Sequence, residues 1–230
     1  TTANNSIINL EVIYVLKSKK ILVTAGPTFE YLDDIRFIGN KSSGIQGTEI
    51  ARRLIELEAD VTLIVGPVNL DLSSLEKVIK EETAIEMNDA VNKAGPFDIA
   101  ICAAAVGDWR PKERAKTKIK KTAKGKPPVL ELVENPDILK NLCISENRPK
   151  LIIGFAAETN NLLTNARSKL KNKGCDWIIA NKVNAESHNM GGEENEVIIV
   201  KKKKEIKLER QSKKEIAYFI CKQIVEEISE

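Results

Sequence analysis

An α/β fold, a mostly parallel sheet covered by helices on both faces and extended by a C-terminal β-hairpin, is predicted by three observations. Short apolar runs alternate with amphipathic stretches of helical period. The first run, Ile21-Leu22-Val23-Thr24-Ala25, empties into Gly26-Pro27-Thr28, and a Ser/Gly loop, Asn40 to Gly47, then opens a helix. Near the C-terminus two strand-like segments flank a lysine run. Together these read as a Rossmann-like architecture, whose ligands gather at the carboxyl ends of the strands.

In chain order, the strand Ile21 to Ala25 is followed by a helix from about Gln46 to Glu58, with Ile50, Leu54 and Leu57 on one face. The continuous apolar run Asp60 to Val65 completes a βαβ unit. The pattern repeats as helix Ala84 to Ala94, strand Asp98 to Ala103, helix Pro136 to Ile144 and strand Lys150 to Phe155. A helix Asn161 to Lys173, closed by Gly174, precedes strand Trp177 to Ala180. Residues 106–134 are lysine-rich, carry Pro111, Gly125, Pro127 and Pro128, and show little periodicity, which marks a candidate basic lid. The hairpin is expected near 196–209, with Lys201 to Lys204 as its solvated turn, and a helix from Lys213 aligns Ile216, Ile220 and Ile224. Such a hairpin either extends the sheet or pairs with a second subunit.

Composition excludes several classes. With 230 residues, 42% hydrophobic and 30% charged, the chain has ordinary soluble globular composition and supports one sizeable core. No apolar run approaches the roughly 20 residues of a membrane span, and the first residues lack a secretory pattern, so a cytoplasmic protein is expected. A net charge of +3 falls short of a nucleic-acid binder's footprint. Cys102, Cys143, Cys175 and Cys221 are widely spaced and read as small buried hydrophobes, and His188 is the only histidine, which sets aside disulfide, triad and histidine-metal chemistry. The initial threonine suggests a fragment of something longer, with residues 1–18 as a tail or linker and 19–230 as the domain.

A strand ending in glycine ahead of a helix-opening loop offers backbone N–H groups to a phosphate. A nicotinamide enzyme fits poorly: Gly26, Gly39, Gly44 and Gly47 make no G-x-G-x-x-G, and the second strand ends at Val65-Gly66-Pro67 without a ribose-binding acid. Tyr218 and Lys222 lie on the terminal helix, far from any strand end, and no P-loop motif occurs.

The ordered motifs Thr24-Ala25-Gly26-Pro27-Thr28 with Glu30, Asp33 and Arg36, Asn40-x-Ser42-Ser43-Gly44-x-x-Gly47, and Ala103-Ala104-Ala105-Val106-x-Asp108-Trp109-Arg110 carry a resemblance. So do Lys118-Ile119-Lys120-Lys121, Glu134-Asn135-Pro136-Asp137-Ile138, Gly154 to Thr159, and Gly191-Gly192-x-x-Asn195. From Lys19 onward the chain resembles phosphopantothenate-cysteine ligase, the second half of a bifunctional bacterial coenzyme A biosynthesis flavoprotein whose first half is a decarboxylase. The resemblance implies activation of 4'-phosphopantothenate by CTP as an acyl-cytidylate, with release of pyrophosphate. Displacement of CMP by the amine of L-cysteine follows, with Mg²⁺ required and the flavin confined to the decarboxylase half. A homodimer with active sites near its interface is also implied. Cations around the phosphates and a lid that excludes water suit this chemistry.

By the same resemblance Lys118 is the catalytic lysine at the nucleotide phosphates, although lysines in a polar loop are by themselves only solvated charge. Asn40 processes the acyl-cytidylate, against the plain reading of a helix cap, and Arg36 helps bind the acyl substrate. Gly26, Ser42, Ser43, Gly44 and Gly47 form the phosphate loop, with close packing as the competing role of the glycines. Cys102, Ala103 and Ala104 let CTP approach the backbone, and Asp108 binds the nucleotide. Asn135, Pro136, Asp137 and Ile138 frame the cytosine, and also read as a helix start. Phe155 packs near the base, and Lys169 and Lys173, at i and i+4, share a nucleotide-facing helix surface. The bacterial pattern commonly reads Ser-Ser-Gly-Lys-Met-Gly; here Ile45 and Gln46 stand in place of Lys-Met. Two rival readings are an NAD(P)-binding oxidoreductase and a non-catalytic nucleotide-binding domain. The metal ligands, His188 and the Gly191-Gly192 loop have no assigned role.

Overall fold

The computed structural model describes residues 15–120, 127–183 and 192–229. Most of the 1–18 tail, Lys121, Gly125, His188 and Gly191 lie outside the described residues. Leu16 is fully buried in the core, so the packed body already includes residues placed in the tail.

Strand β1 (Lys20–Ala25) is an interior strand of an eight-stranded sheet among the described residues, between β4 (Asp60–Val65) and β6 (Ile99–Cys102), both parallel to it. On one side β4 pairs with β5 (Lys77–Lys80). On the other, β6 pairs with β9 (Leu151–Glu158) and β9 with β10 (Trp177–Lys182), all parallel. The chain therefore fills one flank of β1 and then crosses to the other, and this reversal leaves a crevice at the carboxyl ends of β1 and β6. The hairpin β11 (Glu194–Lys201) and β12 (Glu205–Ser212) extends the sheet antiparallel from β10.

Both faces are covered, as the unbroken apolar strands require. Ile21, Val23 and Ala25 pack with Ile50 and Leu54 of α1 (Ile45–Glu56) and Ile216, Ile220 and Ile224 of α5 (Lys213–Ser229). The alternate residues Leu22, Ala100 and Ile152 face α2 (Ala84–Ala94), α3 (Ile138–Ile144) and α4 (Leu162–Lys173) through Met87, Ile138 and Leu170. Helix α2 starts with a capping box between Thr83 and Glu86, and α4 stops at Gly174, whose φ of 77° is the left-handed cap that the sequence suggests.

Several expectations need correction. The 106–134 stretch is not a plain loop: β7 (Trp109–Pro111) and β8 (Leu132–Glu134) pair antiparallel at its base. A second small hairpin, β2 (Phe29–Tyr31) with β3 (Phe37–Gly39), and strand β5 also escaped the sequence reading. Strands of three or four residues are too short to display a period. Helix α3 begins at Ile138, not Pro136, because Asp137 caps it by accepting the Lys140 N–H at 3.0 Å. Of the lysine run only Lys202 to Lys204 are exposed; Lys201 closes β11, pairs with Glu227 and lies 3.9 Å from the Trp177 ring centre. Cys175 and Cys221 are buried, whereas Cys102 and Cys143 are only partly so. No helix among the described residues is long and apolar enough to cross a membrane.

Candidate functional site

Two adjoining chambers of about 360 Å³ and 260 Å³ open at the crevice beside β1, β6 and β9. They share Ala104, Val106, Asp108, Phe155 and Lys169, and so form one cleft with two ends.

The segment between the chambers is pinned to the end of β1. Thr24 Oγ1 accepts the Ala104 N–H at 3.3 Å, Ala105 N–H donates to Gly26 O at 2.8 Å, and Thr28 Oγ1 accepts the Gly107 N–H at 2.9 Å. Small side chains at 103–105 leave backbone exposed to whatever enters, and the threonines hold that backbone still.

The larger chamber is walled by Asn135, Pro136, Asp137 and Ile138, with Cys102, Phe155 and Lys173. Asn135 donates its Nδ2 to Gly107 O at 2.8 Å, and its backbone N–H to Asp108 O at 2.9 Å, locking the two sides of the chamber together. Asp137, besides capping α3, pairs with Lys173. Lys169, one turn earlier, has no ion pair among the described residues and reaches both chambers, so its charge is available to a ligand. Burial pushes the Cys102 thiol far above the ordinary range, which disfavours the reactive thiolate.

The smaller chamber is lined by Asn40, Ser42, Ser43, Gly44 and Gly47. Gly44 is the N-cap of α1 at φ 75°, with no side-chain cap, so first-turn N–H groups remain for an anion. A Cβ there would fall 2.7 Å from Val68 Cγ1. At Gly47 an added Cβ would meet Ala25 Cβ at 2.6 Å, so this glycine serves the close approach of helix to strand. Asn40 is not the helix cap; its Nδ2 donates to Ala105 O at 3.0 Å.

Ala103 lines the smaller chamber with the loop. Gly26 lines neither chamber and instead turns the chain at φ 78° beneath Gly44. Arg36 and Lys118 lie outside the cleft as well. Arg36 donates to Asp33 and, at 2.7 Å, to Ile119 O, so it clamps the segment that carries the exposed Lys118. The rival oxidoreductase pair is also remote: Tyr218 is exposed on α5 under the Arg53 guanidinium, and Lys222 faces Glu226 on the same helix.

Asn181, Asn195 and Lys213, none with a role assigned from the sequence, also line the smaller chamber. Lys213 is 3% exposed, and burial pulls its ammonium down to about 8. The Ser212-x-x-Glu215 capping box was the signal in the sequence that fixes Lys213 as the first residue of α5. No group of three His, Cys, Asp or Glu residues able to hold a metal occurs among the described residues.

Residues 16–228 match the family described as DNA/pantothenate metabolism flavoprotein C-terminal domain. The chain is 40% identical over 211 residues to the coenzyme A biosynthesis bifunctional protein CoaBC of Vibrio vulnificus, covering 91% of this chain and 52% of that protein. It is 43% identical over 182 residues to the protein of the same name from Mycobacterium tuberculosis, covering 74% and 43% respectively. The crystal structure of a CoaBC C-terminal domain superposes with a TM-score of 0.77 at 36% identity, covering 94% of this chain and 98% of that one. The chain spans about half the length of the curated relatives it matches.

Proposed function

The chain belongs to the DNA/pantothenate metabolism flavoprotein C-terminal domain family, and from that premise we propose that it is a phosphopantothenate-cysteine ligase of coenzyme A biosynthesis. The observation that carries the reading is the two-ended cleft. One end is framed by Asn135 to Ile138, and the other by an uncapped helix start with Gly44. A nucleotide fits this division, with cytosine against the backbone of Asn135 to Ile138 and Phe155, and phosphates toward Ser42, Ser43, Gly44 and Lys169.

The carboxylate oxygen of 4'-phosphopantothenate attacks the α-phosphorus of CTP, and pyrophosphate leaves. The amine of L-cysteine then attacks the acyl carbon, CMP leaves, and the amine loses a proton as the amide forms. Asn40, held by Ala105 O, is positioned to direct the acyl-cytidylate, and Lys169 offsets phosphate charge. Asp108 is the one carboxylate lining both chambers among the described residues, so a Mg²⁺ would rest on Asp108 and chiefly on the phosphates. When bound, it would neutralise charge on those phosphates.

Lys118 and Arg36 sit outside their own cleft, on a surface that also exposes Ile35, Phe37 and Ile38. This supports a homodimer in which the Lys118-bearing segment of one protomer covers the cleft of the other. In the whole protein, a flavin-dependent decarboxylase half precedes this domain, which itself takes no flavin and works in the cytoplasm.

The test is a mass-spectrometric assay of the purified chain with 4'-phosphopantothenate, Mg²⁺ and CTP or ATP, with and without cysteine. The expected result is CTP-dependent phosphopantothenoylcysteine and CMP, with acyl-cytidylate when cysteine is omitted. Absence of product and intermediate with both nucleotides, from folded dimer, overturns the reading.

A further inference from the structure

Lys213 is built into the wall of the smaller chamber with unusual care. Its backbone N–H donates to Glu193 O at 2.8 Å, and its carbonyl accepts Gln46 Nε2 at 3.0 Å. The Ser212–Glu215 box fixes the helix turn that carries it: Ser212 Oγ donates to Glu215 Oε2 at 2.7 Å, and Glu215 N–H returns to Ser212 Oγ at 3.2 Å. The side chain is nonetheless left without an ion pair or hydrogen bond among the described residues, although it is 3% exposed and lines the chamber.

A buried ammonium without a counter-charge is expensive, because burial removes its water and supplies nothing in return. The charged groups sharing this chamber are Lys169, a second cation, and the exposed Asp108. The uncapped first turn of α1, at the Gly44 end of the same chamber, adds further unspent donors. Cation and helix N–H groups line one small volume, and the group that satisfies such a donor set is a phosphate.

We propose that Lys213 is a phosphate-binding residue: its ammonium and the first turn of α1, joined by the Gln46–Lys213 contact, hold one phosphate group of a substrate in the smaller chamber. The inference rests on the reading of this cleft as a phosphate-binding site. It also accounts for Ile45 and Gln46 in place of Lys-Met. The charge absent from the loop is supplied beside it by the first residue of α5, and Gln46 holds the Lys213 backbone in place. The phosphate belongs either to CTP or to 4'-phosphopantothenate, and the two are separable by experiment.

The experiment is calorimetric titration of wild type and Lys213→Met with CTP, 4'-phosphopantothenate and inorganic tripolyphosphate, beside the phosphate-free controls cytidine and pantothenate. Methionine keeps the buried volume and removes the charge, and Lys213→Gln serves as a second variant; thermal melting verifies that each is folded. The expected loss is about 10- to 100-fold in affinity for a phosphorylated ligand, the worth of a hydrogen bond to a charged group. Binding of the controls should be unchanged. Loss confined to CTP assigns the site to the nucleotide, and loss confined to 4'-phosphopantothenate assigns it to the acyl substrate. Unchanged affinity for all three phosphorylated ligands in both variants overturns the proposal, as does a wild-type protein that binds none of them. If wild type binds tripolyphosphate in a Lys213-dependent way but neither CTP nor 4'-phosphopantothenate, the phosphate site stands and the ligase reading fails.

Discussion

Arg36 and Asp33 form a clamp on the segment that carries Lys118. Arg36 Nε donates to Asp33 Oδ2 at 3.0 Å, the same oxygen accepts the Ile119 N–H at 3.0 Å, and Arg36 returns a bond to Ile119 O at 2.7 Å. Asp33 Oδ1 takes the N–H groups of Ile35 and Arg36, both at 2.9 Å. The carboxylate is fully buried, and the guanidinium with these N–H donors holds its pKa far below the usual range. A charge so completely hydrogen-bonded is a structural fixture.

Asp33→Asn should therefore loosen the segment that carries Lys118 while leaving the cleft intact. The amide is a weaker acceptor and presents a donor to Arg36, so turnover should fall about tenfold or more, with CTP affinity nearly unchanged. A wild-type kcat would remove the clamp from the mechanism.

The same pair has a pH signature. Because folding depresses this carboxyl's pKa, its contribution is present above the unfolded value of about 4 and is lost as pH falls through the lower folded value. Protection of the peptide around Ile119 against hydrogen exchange, taken relative to the intrinsic rate at each pH, should be lost on acidification before that of the core strands. Simultaneous loss of protection in both regions would count against a local clamp.

Lys118→Gln should abolish turnover with the melting temperature unchanged, since Lys118 is exposed and the clamp bonds run through Ile119 and Arg36. Asn40→Asp should slow product formation and let acyl-cytidylate accumulate, because the Nδ2 donor to Ala105 O is lost. Normal product without a detectable intermediate would free Asn40 from its role.

Gly44→Ala tests the loop. At φ 75° an alanine is strained by about 1–2 kcal/mol, and its Cβ would also press on Val68 Cγ1 and the Gly26 backbone. Both a lower melting temperature and weaker CTP binding are expected. Weaker melting with unchanged CTP affinity would show that Gly44 serves the turn alone.

How much of this was legible in the sequence follows from the length scale of each signal. The βα alternation, α2 from Ala84 to Ala94 and the Gly174 stop were readable, because long apolar periods and a helix-ending glycine report local physics. The resemblance brought Asn135 to Ile138, Cys102, Phe155, Lys169 and Lys173 to one chamber, and the structure places them together. Lys213 was legible only as a helix start; its place in the chamber was not, because it depends on the contact with Gln46, 167 residues away along the chain. The placement of Arg36 and Lys118 outside the cleft was equally hidden, since a motif records residue types and not which chamber they face.

Cys102 gives a prediction independent of the substrates' identity. Its thiol lines the larger chamber, yet burial pushes its pKa far up, and the same cause raises Cys143 to about 11 and Cys175 to about 12. Only the thiolate reacts, so alkylation of the native protein at pH 7.5 should be orders of magnitude slower than that of a free thiol. The rate should grow about tenfold per pH unit until unfolding intervenes. Denaturant should release all four cysteines to full labelling. If the nucleotide occupies this chamber, CTP should slow labelling at Cys102 and leave the fully buried Cys221 unaffected. Peptide mapping of the alkylated protein separates the sites; labelling of native Cys102 as fast as a free thiol would show that the chamber wall is open to solvent.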